Sequence, residues 1–372
     1  MTNRFLDLAA PGIRGLKPYQ PGKPIAELAR EYGVADIVKL ASNENPLGPS
    51  PRALAAIAAV SDPARYPDAN GFELKQALAA RHGIAPAGIT LGNGSNDVLV
   101  LLAESFLEPG LEAVYSRHAF AVYALAVQAT GATHRIADAL PADHAQPYGH
   151  DLDAMAALVG PATRLVFIAN PNNPTGTWLD SGALERFIAG LPEHVVVVVD
   201  EAYFEYVAQP GYPDASRWLN RYPNLVVTRT FSKAYGLAGL RIGYGLSHPE
   251  LAGILNCVRQ PFNTSSVAQA AALAALRDEE HLASGVALNA AELERVEAGC
   301  RRLGLGVIPS VGNFLLVDMR RPAQPVYEAL LREGVIVRPV DNYGLPMHLR
   351  ISIGLPAEND RLLAALDKVG RP

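Results

Sequence analysis

The sequence predicts an α/β protein with a large lobe built on a mainly parallel sheet and a smaller C-terminal α/β lobe. From about residue 70 to residue 260, short apolar runs alternate with helical patterns, as expected of βαβ units. After residue 260, two alanine-rich helical stretches precede three short strand patterns. We therefore expect an extended arm and the start of the small lobe in residues 1–35, a large domain in 36–260 and a small domain in 261–372.

The individual elements follow from apolar periodicity and from the residues that flank each run. In the large lobe we predict helices over 72–81, closed by Gly83, and over 98–106. Buried strands are predicted over 165–168, 195–199 and 225–227, because these runs are apolar throughout. In the small lobe the pattern predicts helices over 266–277 and about 284–303, then strands near 313–317, 335–338 and 349–353.

Prolines punctuate the beginning of the chain. They stand at positions 11, 18, 21 and 24. Because proline lacks the backbone N–H and clashes with the preceding turn, a helix interior excludes it. We therefore predict an extended arm with no regular helix over about the first 30 residues.

Composition narrows the classes of function. The 32 basic residues are scattered and the net charge is −5, which argues against a nucleic-acid partner. The sequence has no run of about 18 uncharged apolar residues and no apolar leader, so we expect a cytoplasmic protein without membrane contact. Cys257 and Cys300 are too few for a disulfide framework or a zinc site. His144 and His150 fall in a stretch that we interpret as a solvated loop, so no metal is predicted.

Lys233 and Asp200 are the first candidate functional residues. Lys233 follows the apolar run 225–227, which places a primary amine at the exit of a predicted strand. Asp200 ends a run of five valines, so it should project from the carboxyl end of a buried strand, where open α/β sheets bind their ligands. The alternatives are a lysine on the solvated surface and an aspartate that only caps a turn.

Two glycine-rich segments have the residues needed to bind a phosphate. Gly94, Ser95 and Asn96 follow a strand and begin a helix, so backbone N–H groups and the helix dipole can converge on an anion. Ser232 and Arg241 lie in a second glycine-rich run, where the backbone can fold tightly around such a group. Each segment alone is a weak signal, since ordinary turns contain the same residues.

The order of these motifs along the chain, with Asn173 in an Asn-Pro-Thr-Gly turn and Tyr203 three residues after Asp200, resembles the fold-type I aminotransferases, which use pyridoxal 5′-phosphate. The resemblance extends over about 150 residues and implies a large lobe with a seven-stranded, mainly parallel sheet. It further implies that Lys233 bonds to the cofactor aldehyde and serves as general base and acid. Asp200 would pair with the protonated pyridine nitrogen of the cofactor.

The same resemblance assigns the remaining cofactor contacts. Asn173 and Tyr203 would donate hydrogen bonds to the phenolic oxygen of the cofactor. Phe120 would stack on the face of its ring, with Tyr123 as the alternative. The cofactor phosphate would bind to the two glycine-rich segments, through Gly94, Ser95, Asn96, Ser232 and Arg241.

Motifs near both ends of the chain resemble histidinol-phosphate aminotransferases in particular. These motifs occupy residues 15–23, 40–49, 65–68, 310–314, 335–338 and 348–354. Within them, the resemblance implies that Tyr19 reaches the substrate phosphate and that Asn43 binds substrate. Tyr66 would donate its hydroxyl to the cofactor phosphate of the neighbouring subunit. A homodimer with shared active sites follows from that role.

Arg338 and Arg350 match the charges of the substrates that this family uses. Histidinol phosphate presents a phosphate ester, and glutamate or 2-oxoglutarate presents two carboxylates, so a forked guanidinium group can bind either partner. Arg350 resembles the arginine that grips the α-carboxylate in related aminotransferases, and Arg338 is the additional charge for a phosphorylated substrate. The alternative is that both arginines are ion-paired residues of a sheet.

Three other functions compete with this one. Aromatic-amino-acid aminotransferases share nearly all of the motifs above. A pyridoxal-dependent decarboxylase acting on a phosphorylated amino acid would break a different bond at the same carbon. A regulator that had adopted this fold should have a helix-turn-helix extension and a basic surface, and the sequence shows neither.

Overall fold

The computed structural model describes residues 4–18 and 21–369. Its strands are β1 Val38–Lys39, β2 Ile89–Gly92, β3 Glu112–Ser116, β4 Thr133–Ala137, β5 Thr163–Ala169, β6 Val196–Asp200, β7 Leu225–Thr230, β8 Gly243–Ser247, β9 Gly306–Ile308, β10 Phe314–Asp318, β11 Val335–Ile336, β12 Arg338–Pro339 and β13 His348–Ser352. Its helices are α1 Ile25–Tyr32, α2 Pro51–Ala59, α3 Phe72–His82, α4 Ser95–Phe106, α5 Ala121–Thr130, α6 Leu152–Ala157, α7 Ser181–Ala189, α8 Pro249–Val258, α9 Ser266–Leu276, α10 Glu279–Arg302, α11 Ala323–Arg332 and α12 Pro356–Lys368.

The large lobe is built on a sheet whose order, in the described residues, is β2-β8-β7-β6-β5-β3-β4. All neighbouring pairs from β7 to β4 are parallel, and β8 is antiparallel to both β2 and β7. Alternate residues of β6 face opposite sides of the sheet: Val197 and Val199 pack into one apolar cluster, whereas Val196 and Val198 pack into another. Both faces of the sheet are therefore covered, which explains why β6 is apolar throughout.

The small lobe has a separate core. Its four-stranded sheet has the order β12-β13-β10-β9, and all of its pairs are antiparallel. Residues of α10, α11 and α12 cover it, among them Val296, Leu330 and Leu362, all fully buried. β1 pairs in parallel with β11, and Leu40 joins this core.

The helices and strands predicted inside both lobes are present, with ends that differ by a few residues. The largest difference is in the interval 335–338, which forms two short strands. β11 pairs with β1, and β12 pairs with β13, because the chain changes partner at Val337. Two segments next to the domain limits predicted at residues 36 and 260 pack with the other lobe. Residues 38–40 pack with the small lobe, and α9 packs into the core of the large lobe.

The prediction of an arm without regular helix is wrong for α1. The last proline of the arm, Pro24, is the residue just before this helix, where no intrahelical N–H bond is required. The helix that follows is amphipathic and buries Leu28 completely. Proline at this point therefore begins a helix instead of preventing one.

The interpretation of residues around His144 and His150 as a solvated loop is correct for the first histidine only. His144 is exposed, whereas His150 is buried, with its Nε2 atom 2.9 Å from the carbonyl oxygen of Ala169. An antiparallel bridge between Ala139 and His150 turns the chain back toward the sheet. The buried end of this turn could not be recognised from its proline- and glycine-rich composition.

The described residues contain neither a membrane-spanning helix nor a cluster of metal-binding side chains. Within residues 4–18 and 21–369, no helix is both long enough and apolar enough to cross a membrane. The same residues bring together no group of three or more His, Cys, Asp or Glu side chains that could hold a metal ion. Cys257 is exposed and Cys300 is buried, and both are free thiols.

Candidate active site

A cavity of about 580 Å³ lies at the carboxyl ends of β5, β6 and β7, where the small lobe meets the large one. The topology explains its position, because the carboxyl ends of parallel strands lie at one edge of the sheet. Most of the predicted site residues line it: Asn43, Gly94, Ser95, Asn96, Phe120, Asn173, Asp200, Tyr203, Ser232, Lys233, Arg241, Arg338 and Arg350. Segments far apart in sequence thus supply one site.

Lys233 presents its amine to this cavity. The Nζ atom donates a hydrogen bond to the carbonyl oxygen of Ser42 at 2.9 Å and lies 5.8 Å from the centroid of the Tyr203 ring. Burial, reinforced by the Arg350 guanidinium, lowers the pKa of Lys233 to about 7. A substantial fraction of this amine is therefore neutral and nucleophilic near neutral pH.

Asp200 is buried at the end of β6 and receives two hydroxyl hydrogen bonds. Tyr123 donates to Oδ2 at 2.9 Å, and Thr228 donates to Oδ1 at 2.8 Å. Burial raises the pKa of Asp200, and the two hydrogen bonds oppose that effect. The described residues supply no ion-pair partner for this carboxylate, so it is suited to bind a cationic group of a ligand.

The start of α4, where we predict an anion site, lies close to Arg241. Gly94, with φ of 83°, precedes the helix, whose first N–H groups have no intrahelical acceptor. A Cβ atom added at Gly94 would lie 2.6 Å from a guanidinium nitrogen of Arg241, and one added at Gly243 would lie 2.3 Å from the backbone nitrogen of Ser95. Glycine is required at both positions, because a side chain at either one would prevent the two segments from approaching so closely.

Arg350 joins the small lobe to the Asn-Pro-Thr-Gly turn. Its Nη1 donates to Oδ1 of Asn173 and its Nη2 to the carbonyl oxygen of Ala41, both at 2.6 Å. The Nε atom is buried and has no partner in the described structure, and no carboxylate is paired with this guanidinium there. Arg338 lies directly opposite Arg350 in the β12–β13 register. These features favour an anion-binding role for Arg350 over the alternative of a sheet ion pair.

A short chain of hydrogen bonds fixes the orientation of Tyr203. Oδ1 of Asn43 accepts from the Ser352 hydroxyl, so the Asn43 amide nitrogen is the end that donates to the Tyr203 oxygen at 2.9 Å. Burial raises the pKa of Tyr203 to about 12. The phenol therefore keeps its proton and can donate it to a ligand. Asn43 lines the cavity and also helps to position Tyr203.

Three of the predicted aromatic residues lie in different environments. Phe120 lines the cavity, whereas the alternative stacking residue, Tyr123, lies behind it with its ring stacked on Phe167. Tyr66 lies away from the cavity of its own chain; it is 80% exposed and stacks on Phe262 at 4.4 Å. Tyr19 lies outside the described residues.

Sequence reasoning missed the hydroxyls that contact Asp200 and the acceptor for Lys233. Thr228 lies opposite Asp200 in the parallel register of β6 and β7, so strand alignment could have indicated it. Tyr123 lies about one helical turn after Phe120, the residue that precedes α5, and the two rings contact each other, so this spacing could have indicated that Tyr123 lies near the cavity. The Ser42 carbonyl left no sequence signal, because any residue supplies a backbone oxygen.

The fold and the cavity are those of an enzyme class that is identified by comparing the chain with known protein families. The model of the family named aminotransferase class I and II matches residues 35–366, and the chain belongs to that family. The predicted fold class is confirmed by solved structures of aminotransferases with the same architecture.

Individual relatives narrow the class further. Histidinol-phosphate aminotransferase 2 of Pseudomonas fluorescens is 58% identical over 372 residues, and the match covers 99% of each chain. The protein of the same name from Pseudomonas aeruginosa is 59% identical over 368 residues, which cover 98% of each chain. Among solved structures, histidinol-phosphate aminotransferase from Sinorhizobium meliloti in complex with pyridoxal-5′-phosphate gives a TM-score of 0.88 at 33% identity, covering 99% of this chain and 98% of that one.

Proposed function

We propose that this chain is a pyridoxal 5′-phosphate-dependent histidinol-phosphate aminotransferase. It interconverts histidinol phosphate and 2-oxoglutarate with imidazole acetol phosphate and glutamate, a reaction of histidine biosynthesis. The observation that carries the proposal is the convergence of Lys233, Asp200 and the Arg241 anion site on one cavity. The similarity over the full chain to proteins named for this activity supports the choice of substrate.

The residues of the cavity fit this cofactor. The start of α4, with Ser232 and Arg241, would hold its phosphate, and Asp200 would hold its ring nitrogen. Asn173 has its oxygen occupied by Arg350, so its amide nitrogen remains to donate to the phenolic oxygen, as does the protonated hydroxyl of Tyr203. When bound, the cofactor withdraws electrons from the substrate α-carbon and carries the amino group between the two substrates.

Lys233 performs the acid–base work. Because its pKa is lowered to about 7, the neutral amine can accept the proton from the α-carbon of the bound substrate and later return it. Burial in the cavity limits competing proton exchange with bulk water. Asp200 assists through its charge, and Tyr203 assists through hydrogen bonding.

The two arginines give the site a place for both substrates. Arg350 would bind the carboxylate of glutamate through its unpartnered Nε edge. Arg338, which lies opposite Arg350 in the paired strand β12, would bind the phosphate of histidinol phosphate. Two adjacent guanidinium groups can thus serve a dianionic phosphate in one half-reaction and carboxylates in the other.

Arg338→Ala tests the choice of substrate. We expect kcat/KM for histidinol phosphate to fall by at least about tenfold, because a charge-assisted contact to the phosphate is lost. The value for phenylalanine should change little, since a neutral ring would occupy the same position. Arg332→Ala, an exposed arginine at the end of α11, is the matched control. Equal losses for both substrates would favour the aromatic-amino-acid aminotransferase.

The proposal includes a homodimer in which Tyr66 completes the partner's site. Its exposed ring, held against Phe262, is available to a second copy of the chain. We expect a mixture of Tyr66→Phe and Lys233→Ala subunits to be more active than either variant alone, because each mixed dimer contains one site with both residues intact. Subunit exchange is verified by native mass spectrometry. No gain in activity despite exchange would contradict the shared site.

The cytoplasmic location of the protein stays a prediction.

A further inference from the structure

Asp200 is held from inside the protein by two hydroxyl groups that do not line the cavity. Tyr123 on α5 donates to one carboxylate oxygen and Thr228 on β7 donates to the other, at 2.9 and 2.8 Å. Asp200 is only 4% exposed. Each oxygen thus has one fixed donor behind it and keeps a lone pair for a group in the cavity.

The donors are themselves immobilised. The Tyr123 ring stacks on Phe167, with centroids 4.8 Å apart and planes 9° from parallel, and the edge of Phe120 closes the cluster. Thr228 is held opposite Asp200 by the pairing of β6 and β7. Packing within the protein therefore holds both donors against Asp200.

The tyrosines around Asp200 keep their protons near neutral pH. Burial raises the pKa of Tyr123 well above its usual range, and the Asp200 charge adds to that effect, so the phenol keeps its proton. The neighbouring Tyr203 is also protonated near neutral pH, since burial raises its pKa to about 12. No basic side chain in the described part of the chain pairs with Asp200. The hydroxyls are therefore the groups that offset the burial of this charge.

We infer that Tyr123 and Thr228 are positioning residues that keep Asp200 ionised and aim its carboxylate at the ring nitrogen of the cofactor. The inference rests on the proposed function and adds two residues that do not line the cavity. Through Asp200, the two hydroxyls set how strongly the ring nitrogen retains its proton, and so how well the cofactor withdraws electrons.

Substitutions of nearly equal shape test this inference. Tyr123→Phe removes one hydroxyl and keeps the stacked ring, and Thr228→Val removes the other and keeps the β-branched shape. Two controls remove buried or half-buried hydroxyls that do not touch Asp200. Tyr115→Phe alters a ring of the same cluster whose hydroxyl bonds to His134, and Thr90→Val removes a hydroxyl without a partner in the described structure. Thr228→Ser restores a hydroxyl and serves as a rescue.

The principal measurement is the 15N NMR shift of ring-labelled pyridoxal 5′-phosphate bound to each protein, followed against pH. In the wild type and both controls we expect a protonated ring nitrogen near neutral pH. In Tyr123→Phe and Thr228→Val, the ring nitrogen should lose its proton at a lower pH than in the wild type. In the double variant, this pH should be lower than in either single variant. We also expect kcat to fall by about 10- to 100-fold per hydroxyl with little change in KM, since a hydrogen bond to a charged group is lost.

The possible outcomes separate this inference from the proposed function. Variants with the wild-type shift and pH profile would overturn the positioning role, as would a loss of kcat without any change in ring protonation. Failure of Thr228→Ser to restore the wild-type shift would also count against it. A wild-type protein that does not bind the cofactor with a protonated ring nitrogen would overturn the proposed function, and this inference with it.

Discussion

Asp200 and Glu201 are neighbours in the chain and both are buried. They differ in whether the described structure supplies an ion-pair partner. Glu201 forms an ion pair with the equally buried Arg229, at 2.7 Å, and also accepts from the backbone nitrogen of Ala215. In the described structure, Asp200 accepts hydrogen bonds from two neutral hydroxyls, has no ion-pair partner and faces the cavity. Successive residues at the end of a strand point to opposite sides, which places one acid toward the site and the other away from it.

The difference shows how a buried acid can be assigned to structure or to function. A buried charge is costly unless a partner compensates for it. Glu201 has its cation built into the protein, with Asp214 as a second contact of Arg229. Asp200 has an incomplete environment that a cationic ligand group would complete. Three substitutions sharpen or break this comparison.

Lys233→Ala should have the largest effect, because it removes the reactive amine from the cavity that Asp200 also lines. We expect turnover to be almost abolished and the visible absorbance of lysine-bound cofactor to disappear, while the fold is retained. Lys75→Met is the matched control, since burial also lowers the pKa of Lys75 but this lysine lies on α3 outside the cavity. Normal absorbance and turnover in Lys233→Ala would exclude its assignment.

Asp200→Asn should lose several orders of magnitude in turnover while the protein still binds cofactor. A neutral amide no longer favours a protonated ring nitrogen. Stability should change little, because no ion pair within the protein is broken. The checks are kcat for histidinol phosphate and the midpoint of urea unfolding. A rate within about threefold of wild type would assign Asp200 a structural role like that of its neighbour.

Glu201→Gln should have the smallest effect on catalysis and the largest on stability. Arg229 would remain buried with Asp214 as its remaining ion-pair partner in the described structure, so the free energy of unfolding should fall by about 3 kcal/mol. We expect kcat per folded molecule to stay within about threefold. Urea unfolding and active-site titration measure the two quantities. A large loss of kcat with unchanged stability would reverse the roles inferred for the two acids.

Local sequence was sufficient for most of the elements near the site. The valine run ending at Asp200 predicted β6 and its buried position, and Gly83 predicted the end of α3, where it adopts φ of 66°. The predictions were wrong where a local rule depends on the exact position of one residue. Pro24 stands just before α1 and not within it, and His150 is buried next to its bridge with Ala139.

The sequence by itself determined which chemical groups the protein has and their order along the chain: Asn173, Asp200, Lys233 and Arg241 each follow or end a recognisable strand or turn. Their environments were decided by the tertiary structure. Tyr123 and Asp200 are 77 residues apart, and Asn43 and Tyr203 are 160 apart, so their contacts depend on how distant segments pack. The lowered pKa of Lys233 has the same origin, since burial and the charge of Arg350 exist only in the folded chain.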